Sequence, residues 1–252
     1  MTGVAAMMAG TYNVPAASGG GSDADFSKVA LLLSGGEANN STTPKDYSNN
    51  NFGSWTVTAG FKYTTAQTKF ASTSLYFGSS PSSDIRRAWI GTNLAFPAYS
   101  ASGTTGDWTV EMWIYPITYA GGIVAQRLFG PLLLLFNGTG TVYHELGNES
   151  GGTSAGFSTT SALTQNAWNH FAITRKNSTS TAWINGSSAG TATSTYNQRT
   201  SAYSGYDEWE FGSFNGTNSN KSNMYLEDFR YTKGLARYTA NFTPPTASFP
   251  KS

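Results

Sequence analysis

The chain has 252 residues, of which 15 are basic and 14 acidic, so its formal net charge is +1. A balanced charge with no basic run excludes the electrostatic footprint of a nucleic-acid-binding protein. The complete absence of cysteine excludes a disulfide framework and a thiolate metal site.

The N-terminal residues 1–27 are rich in Ala, Gly and Ser and show no sustained periodicity. This composition predicts an extended arm, either flexible or ordered only against a neighbouring subunit. In the second case Met7, Met8 and Tyr12 would be the apolar contacts. The first positive charge comes only after this arm, so we do not expect a signal peptide.

From residue 28 the chain becomes a series of short apolar segments separated by turn signals. Residues 29–33 are continuously apolar, which predicts a strand buried on both faces. The clearest strand, residues 108–115, alternates core positions with a second face that carries Glu111 and Trp113. Pro116 is expected to end this strand.

Two hairpins are predicted further along the chain. Asn137 and Gly138 supply a turn between the apolar segments 132–136 and 142–143. The segments 169–175 and 181–184 are expected to pair with each other around a second turn.

The last predicted strand covers residues 224–231, with a bulge near Asp228 where the spacing of apolar residues changes from two to three. No segment keeps a helical period over three turns, and no apolar run approaches the ~20 residues that span a bilayer. We therefore predict an all-β protein without membrane insertion. Its residues 28–252 would form one antiparallel two-sheet jelly-roll sandwich, preceded by the extended arm.

Five stretches of the chain follow, in order, the pattern of one known family. They are residues 28–36 (KVALLLSGG), 68–77 (TKFASTSLYF), 107–116 (DWTVEMWIYP), 168–175 with 183–186 (WNHFAITR and WING), and 226–250 (LEDFRYTKGLARYTANFTPPTASFP). Together they resemble the concanavalin A-like (laminin G-like) jelly-roll domains of tailed-bacteriophage virion proteins. The resemblance implies a concanavalin A-type sandwich, and the closing tail suggests a phage particle.

The resemblance implies a non-enzymatic structural protein, most simply a capsid decoration or cement component. It would be made in the host bacterial cytoplasm and lie on the virion surface as a homo-oligomer bound to other virion proteins. The alternative is a tail-associated adhesin or lectin that binds host-surface polysaccharide. A glycoside hydrolase is the third possibility, although the Glu-x-Asp-x-x-Glu motif of such enzymes is absent and only Glu208 and Glu210 approach it. We expect no catalytic residue.

For a lectin, the candidate sugar-binding residues are aromatic and amide side chains of the predicted loops. They are Trp183, Tyr203, Tyr206, Asn215 and Asn218.

Glu111 beside Trp113 could also bind a sugar, but such a pair is equally typical of a buried structural contact. His144 and His170 are too far apart in sequence to indicate a metal cluster, and a structural role is expected for them.

We expect no cofactor. The one metal that the residues could bind is calcium. Many domains of the resembled fold bind calcium through carboxylates and loop carbonyls. The candidate ligands are Asp23, Asp25, Glu227 and Asp228. The alternative for Glu227 and Asp228 is that they bind the backbone amides of loops.

Overall fold

The computed structural model describes residues 21–78, 85–88, 106–126, 132–147, 153–194, 208–213 and 221–252. These residues form a 3-10 turn, Phe26–Lys28, and fifteen strands. The strands are β1 (Val29–Leu33), β2 (Thr56–Val57), β3 (Lys62–Thr64), β4 (Ser74–Phe77), β5 (Ile85–Ala88), β6 (Trp108–Thr118), β7 (Gly122–Gln126), β8 (Leu133–Asn137), β9 (Thr141–Gly147), β10 (Thr153–Ser158), β11 (Asn169–Lys176), β12 (Thr179–Ile184), β13 (Ser187–Thr193), β14 (Glu208–Phe211) and β15 (Asn223–Lys233). The prediction of an all-β protein is confirmed.

The strands form two antiparallel sheets. The larger sheet has the order β13-β12-β11-β6-β15-β4-β3, with β1 also paired to β15. The smaller sheet has the order β10-β9-β8-β7-β14-β5-β2. Their inner faces share one hydrophobic core, which includes Trp108 and Met112 of the larger sheet and Leu134 and Trp209 of the smaller sheet. Two sheets stacked on a common core confirm the predicted jelly-roll sandwich.

Several predicted elements appear as expected. All five residues of β1 are buried. β8 pairs with β9 through Asn137 and Thr141, and β11 pairs with β12 in the register Phe171 to Ile184. The predicted bulge is present in β15, where the register against β6 shifts between Glu227 and Arg230 and Asp228 has φ = 57°.

The prediction for Pro116 is wrong, because β6 continues through it to Thr118. Pro116 lies opposite Met224, beside a register shift between Asn223 and Met224. The regular ladder is interrupted there, and a strand tolerates a residue without an N–H group at such a place.

The predicted boundary at residue 27 also needs correction. Asp23 and Phe26 are buried in the domain, and Phe26 packs in a small cluster with Val29 and Phe249. The Asp23 N–H donates a hydrogen bond to the carbonyl of Ser252 at 3.0 Å. The domain thus begins before residue 28, while Met7, Met8 and Tyr12 of the predicted arm lie outside the described residues.

The C-terminal tail, residues 235–252, lies on the outer face of the larger sheet. Tyr238 and Phe242 stack with ring centroids 3.6 Å apart and cover Ala172 and Trp183. Gly186 allows the close approach, because its φ is +81° and a Cβ atom there would lie 1.9 Å from the Phe242 carbonyl oxygen. The Pro-rich tail thus packs on its own chain.

Candidate functional site

The outer face of the larger sheet is divided between a part that the tail covers and a part that it leaves open. On the open part, four partly exposed aromatic side chains from four neighbouring chain segments form a row. They are Tyr76 of β4, Tyr225 of β15, Tyr115 of β6 and Trp168 immediately before β11. We refer to these four residues as the aromatic row.

Strand alternation puts these rings on the outer face. Leu75, Leu226 and Ile114, the sequence neighbours of the three tyrosines, point into the core. Tyr225 pairs with Tyr76 on one side and Tyr115 on the other.

The rings of the aromatic row are in contact from one segment to the next. Ring centroids are 5.0 Å apart for Tyr76 and Tyr225, 5.7 Å for Tyr225 and Tyr115, and 5.7 Å for Tyr115 and Trp168. The result is a continuous aromatic surface across the strands.

The three tyrosine hydroxyls add polar groups to this surface. Within the described part of the chain they make no hydrogen bond to one another or to other residues. Burial raises the pKa of Tyr225, and its neighbours Tyr76 and Tyr115 raise it further. Its hydroxyl therefore stays protonated at neutral pH and can donate a hydrogen bond to a ligand.

A loop beside the aromatic row is held by Glu227. The carboxylate of Glu227 accepts hydrogen bonds from the backbone N–H groups of Lys69, Phe70 and Ala71 at 2.8 to 2.9 Å. Trp168 Nε1 donates to the carbonyl of Thr68 at 3.1 Å, which ties the row to the same loop. Glu227 is thus a positioning residue for one edge of the aromatic surface.

All four candidate metal ligands, Asp23, Asp25, Glu227 and Asp228, are bonded to protein groups. Besides the Glu227 contacts, Asp228 accepts hydrogen bonds from Ser34 Oγ at 2.7 Å and from the Phe249 N–H at 3.0 Å. Asp23 is in ion pairs, and Asp25 is bonded to Lys28. No group of three or more His, Cys, Asp or Glu side chains in the described ranges is arranged to hold a metal ion. The structure supports the alternative that Glu227 and Asp228 bind loop amides.

The covered part of the outer face contains a balanced cluster of buried charges. Arg230 Nη1 lies 2.9 Å from Asp23 Oδ2, and Arg230 Nη2 lies 2.7 Å from Glu111 Oε1. Arg237 Nη2 of the tail lies 2.8 Å from Asp23 Oδ2, and Tyr238 donates to Glu111 Oε2 at 2.6 Å. Two carboxylates thus face two guanidinium groups. We call these five residues the tail cluster.

The tail cluster fixes the protonation state of Glu111. Burial alone would raise the pKa of this carboxyl group, but Arg230, His170 and Arg237 outweigh burial and hold its pKa well below the ordinary value. Since Glu111 is fully buried, it cannot grip a sugar, and its role is to join the sheet to the tail.

The two histidines are both buried and lie on different sheets. His170 is on the outer face of β11, where Nε2 lies 3.4 Å from Glu111 Oε2 and the ring contacts Trp113. His144 is on β9, and its ring contacts Phe157. Neither side chain has any exposed surface.

The predicted sugar-binding residues are only partly within the described ranges. Trp183 is buried on the outer face of β12, and its Nε1 donates to Thr174 Oγ1 at 2.9 Å. Only 4% of Trp183 is exposed, so the ring offers little surface for stacking. Tyr203, Tyr206, Asn215 and Asn218 lie outside the described residues.

Of the two carboxylates nearest to a hydrolase motif, Glu210 is buried on β14. The side chain of Glu208 lies outside the described part of the structure.

Sequence reasoning missed the aromatic row. The available signal was that Tyr76, Tyr115 and Tyr225 each occupy a non-core position of a predicted strand.

Within the described residues no helix is long and apolar enough to cross a membrane.

Comparison with known proteins gives a family match over residues 88–220, to a model described as the concanavalin A-like lectin/glucanases superfamily. No curated protein sequence matches the chain. Among solved structures, domain 4 of AbnA, a GH43 extracellular arabinanase from Geobacillus stearothermophilus, in complex with arabinotriose, is similar with a TM-score of 0.58 and 15% identity. The match covers 83% of this chain and 94% of that one.

Botulinum neurotoxin structures are also similar. The binding domain of botulinum neurotoxin DC in complex with SialylT matches with a TM-score of 0.59 and 14% identity, over 84% of this chain and 49% of that one. A structure of botulinum neurotoxin type C, whose cell entry is dependent upon interaction with two ganglioside molecules, matches with a TM-score of 0.56 and 13% identity, over 82% of this chain and 48% of that one. The chain thus spans about half the length of these toxin domains. At such identities the likeness concerns the fold alone.

Proposed function

Because the chain belongs to the concanavalin A-like lectin/glucanases superfamily, we propose that it is a non-enzymatic glycan-binding domain whose binding surface is the aromatic row. The observation that carries this proposal is a continuous surface of four partly exposed aromatic rings on the part of the sheet face that the tail leaves open. Exposed apolar patches on single domains mark binding sites.

The chemistry of the aromatic row suits a carbohydrate. A sugar ring offers C–H groups that pack on aromatic faces and edges, and hydroxyl groups that bond to tyrosine hydroxyls. Since the rings follow one another across the strands, a bound oligosaccharide would lie perpendicular to the strand direction.

The carboxylates near this surface support a role without catalysis. A glycosidase needs two carboxyl groups on either side of the scissile bond, one acting on the leaving group and one on water or the sugar. Glu227, which is next to the aromatic row, is bonded to three backbone amides. Glu111 is buried in the tail cluster. Neither can reach a bound sugar.

We further propose that the domain acts as an adhesin on the surface of a tailed-phage particle, with host-surface polysaccharide as ligand and other virion proteins as partners. The resemblance of residues 226–250 to phage virion proteins supports this setting. A decoration or cement role is the second candidate. The packing of the tail on its own domain favours the adhesin, because Tyr238 and Phe249 are buried and do not offer an attachment to another subunit.

The test is binding of the purified protein to an array of bacterial surface polysaccharides, followed by titration of the best ligand against Tyr115→Ala and Tyr225→Ala. One aromatic contact contributes about 1 kcal/mol, so each variant should bind roughly fivefold more weakly. Tyr143→Ala is the matched control, because Tyr143 is a partly exposed tyrosine on the smaller sheet. It should bind like the wild type.

Two results would overturn the proposal. One is that the wild type binds no polysaccharide on the array. The other is that the aromatic-row variants keep full affinity. If the same variants instead change the oligomeric state measured by light scattering, the aromatic row is a protein interface. Immunogold labelling of purified particles tests the proposed virion location separately.

A further inference from the structure

A cleft of about 270 Å³ lies between the tail and the strands β11 and β12, away from the aromatic row. We call it the tail cleft. Its lining residues are Thr174, Lys176, Asn177, Thr179, Thr181, Trp183, Tyr238 and Thr239. The eight residues of β11 span about 25 Å, given the rise per residue of a strand. Trp168 of the aromatic row precedes the first residue of β11, and Lys176 of the tail cleft is its last residue. The tail cleft is thus a separate site on the same face.

The regular pairing of two strands gathers the polar groups of the tail cleft. Thr174 of β11 pairs with Thr181 of β12, and Lys176 pairs with Thr179. Residues two apart in a strand point to the same side. Three threonine hydroxyls and one ammonium group therefore share the outer face at this end of the hairpin.

Buried aromatic rings form the apolar side of the tail cleft. Trp183 and Tyr238 are only 4% exposed, and both have their polar atoms bonded, to Thr174 and Glu111 respectively. Because Thr174 Oγ1 accepts the indole hydrogen bond, its own hydrogen stays available to a ligand. An apolar base with a few convergent polar groups is typical of small-ligand sites, and the volume is slightly below the usual ~300–1,000 Å³ range. The size suits a single sugar ring.

The charges around the tail cleft favour an anionic ligand. Lys176 is exposed and makes no ion pair with a described residue. Asp107, which accepts a hydrogen bond from the Asn177 N–H at 2.8 Å, is the negative group nearby, and it interacts with both Lys176 and buried Arg175. Because Asp107 and Arg175 are both buried, exposed Lys176 is the charged group that the rim presents to a ligand.

We infer that the tail cleft binds a single carboxylated sugar, of the uronic or sialic acid class, with the carboxylate at Lys176 and the ring hydroxyls at the threonines. This inference rests on the proposed glycan-binding function and specifies a second, acidic-sugar subsite for it. The host polysaccharide would then be acidic, with one stretch of its chain on the aromatic row and an acidic unit from another stretch at the tail cleft.

The test uses two probes that differ only at C6, D-galacturonate and D-galactose, titrated into the ¹⁵N-labelled full chain and followed by NMR. Galacturonate should shift the Trp183 indole and the Thr181 amide signals, with an affinity roughly two- to fivefold higher than galactose. Lys176→Gln should reduce the galacturonate affinity to the galactose level. Lys62→Gln, which removes a lysine of β3 opposite Tyr76, is the matched control and should change nothing.

A second measurement does not depend on variants. Raising the salt concentration should weaken galacturonate binding and leave galactose binding unchanged, because salt screens exposed charges. Equal affinity for both sugars would overturn the inference, as would the absence of shifts at the tail cleft. Either failure is distinct from failure of the proposed function, which is read from polysaccharide binding by the aromatic-row variants. Tyr225→Ala should leave the galacturonate shifts intact.

Discussion

The buried histidine of β9 makes the stability of the domain depend on pH. His144 lies between the two sheets with no exposed surface. Burial lowers its pKa to about 3, and the nearby positive charge of Arg175 also lowers it. An unfolded histidine titrates near pH 6.5. The folded state therefore holds the neutral form, and stability present above about pH 6.5 is lost as the pH falls toward about 3.

The size of this loss follows from the two pKa values. At pH 5 the unfolded chain has gained almost the whole proton and the folded chain almost none, which costs about 2 kcal/mol relative to pH 8. His144→Leu removes the titrating group and keeps an apolar side chain of similar size against Phe157. The variant should lose about 2 kcal/mol less than the wild type between pH 8 and pH 5.

Urea unfolding at pH 8, 6 and 5 measures this difference. Comparing the two proteins at each pH removes the contribution of other groups, such as Asp228 and Glu227, whose pKa values burial raises. Equal pH slopes for wild type and variant would refute the assignment of a neutral, buried His144. A variant that is less stable than the wild type by the same amount at every pH would have a packing defect. Because its pH slope would equal that of the wild type, this result would also refute the reasoning about protonation.

Four further changes test other parts of the structure. Arg230→Met removes one of the two guanidinium groups that balance the buried carboxylates of Asp23 and Glu111, so chemical denaturation should show a loss of about 3–5 kcal/mol. Lys28→Met, which breaks a more exposed ion pair to Asp25, should cost under about 1 kcal/mol. Glu227→Gln should cost about 1–3 kcal/mol and speed hydrogen exchange at the amides of residues 69–71; unchanged exchange would contradict its positioning role. Gly186→Ala should expose the tail to trypsin after Arg237, since a Cβ would meet the Phe242 carbonyl; an equally resistant variant would contradict this.

The sequence was most informative where the structure depends on neighbours along the chain. The alternation in β6 and the turn between β11 and β12 are local patterns, and both appear in the fold as predicted. Binding of loop amides by Glu227 was one of two predicted alternatives, because a carboxylate at a strand bulge next to loops can bind either a metal ion or backbone amides.

The parts that could not be predicted depend on residues far apart in sequence. Asp23 was assigned to the arm, yet its partners Arg230 and Arg237 are 207 and 214 residues away. The aromatic row likewise joins side chains from four separate segments, and only the strand order of the folded sheet makes them neighbours. Composition shows many aromatic residues but not which of them stay exposed.

The central position of β15 determines when the domain can fold. This strand pairs with β1, β4 and β6, and the pair Val29 and Thr232 joins the first strand to the last. During synthesis the edges of the three earlier strands that face β15 stay unpaired until β15 is made. Contacts this distant in sequence slow folding and leave the nascent chain open to aggregation. The larger sheet can therefore be completed only after translation has passed residue 233.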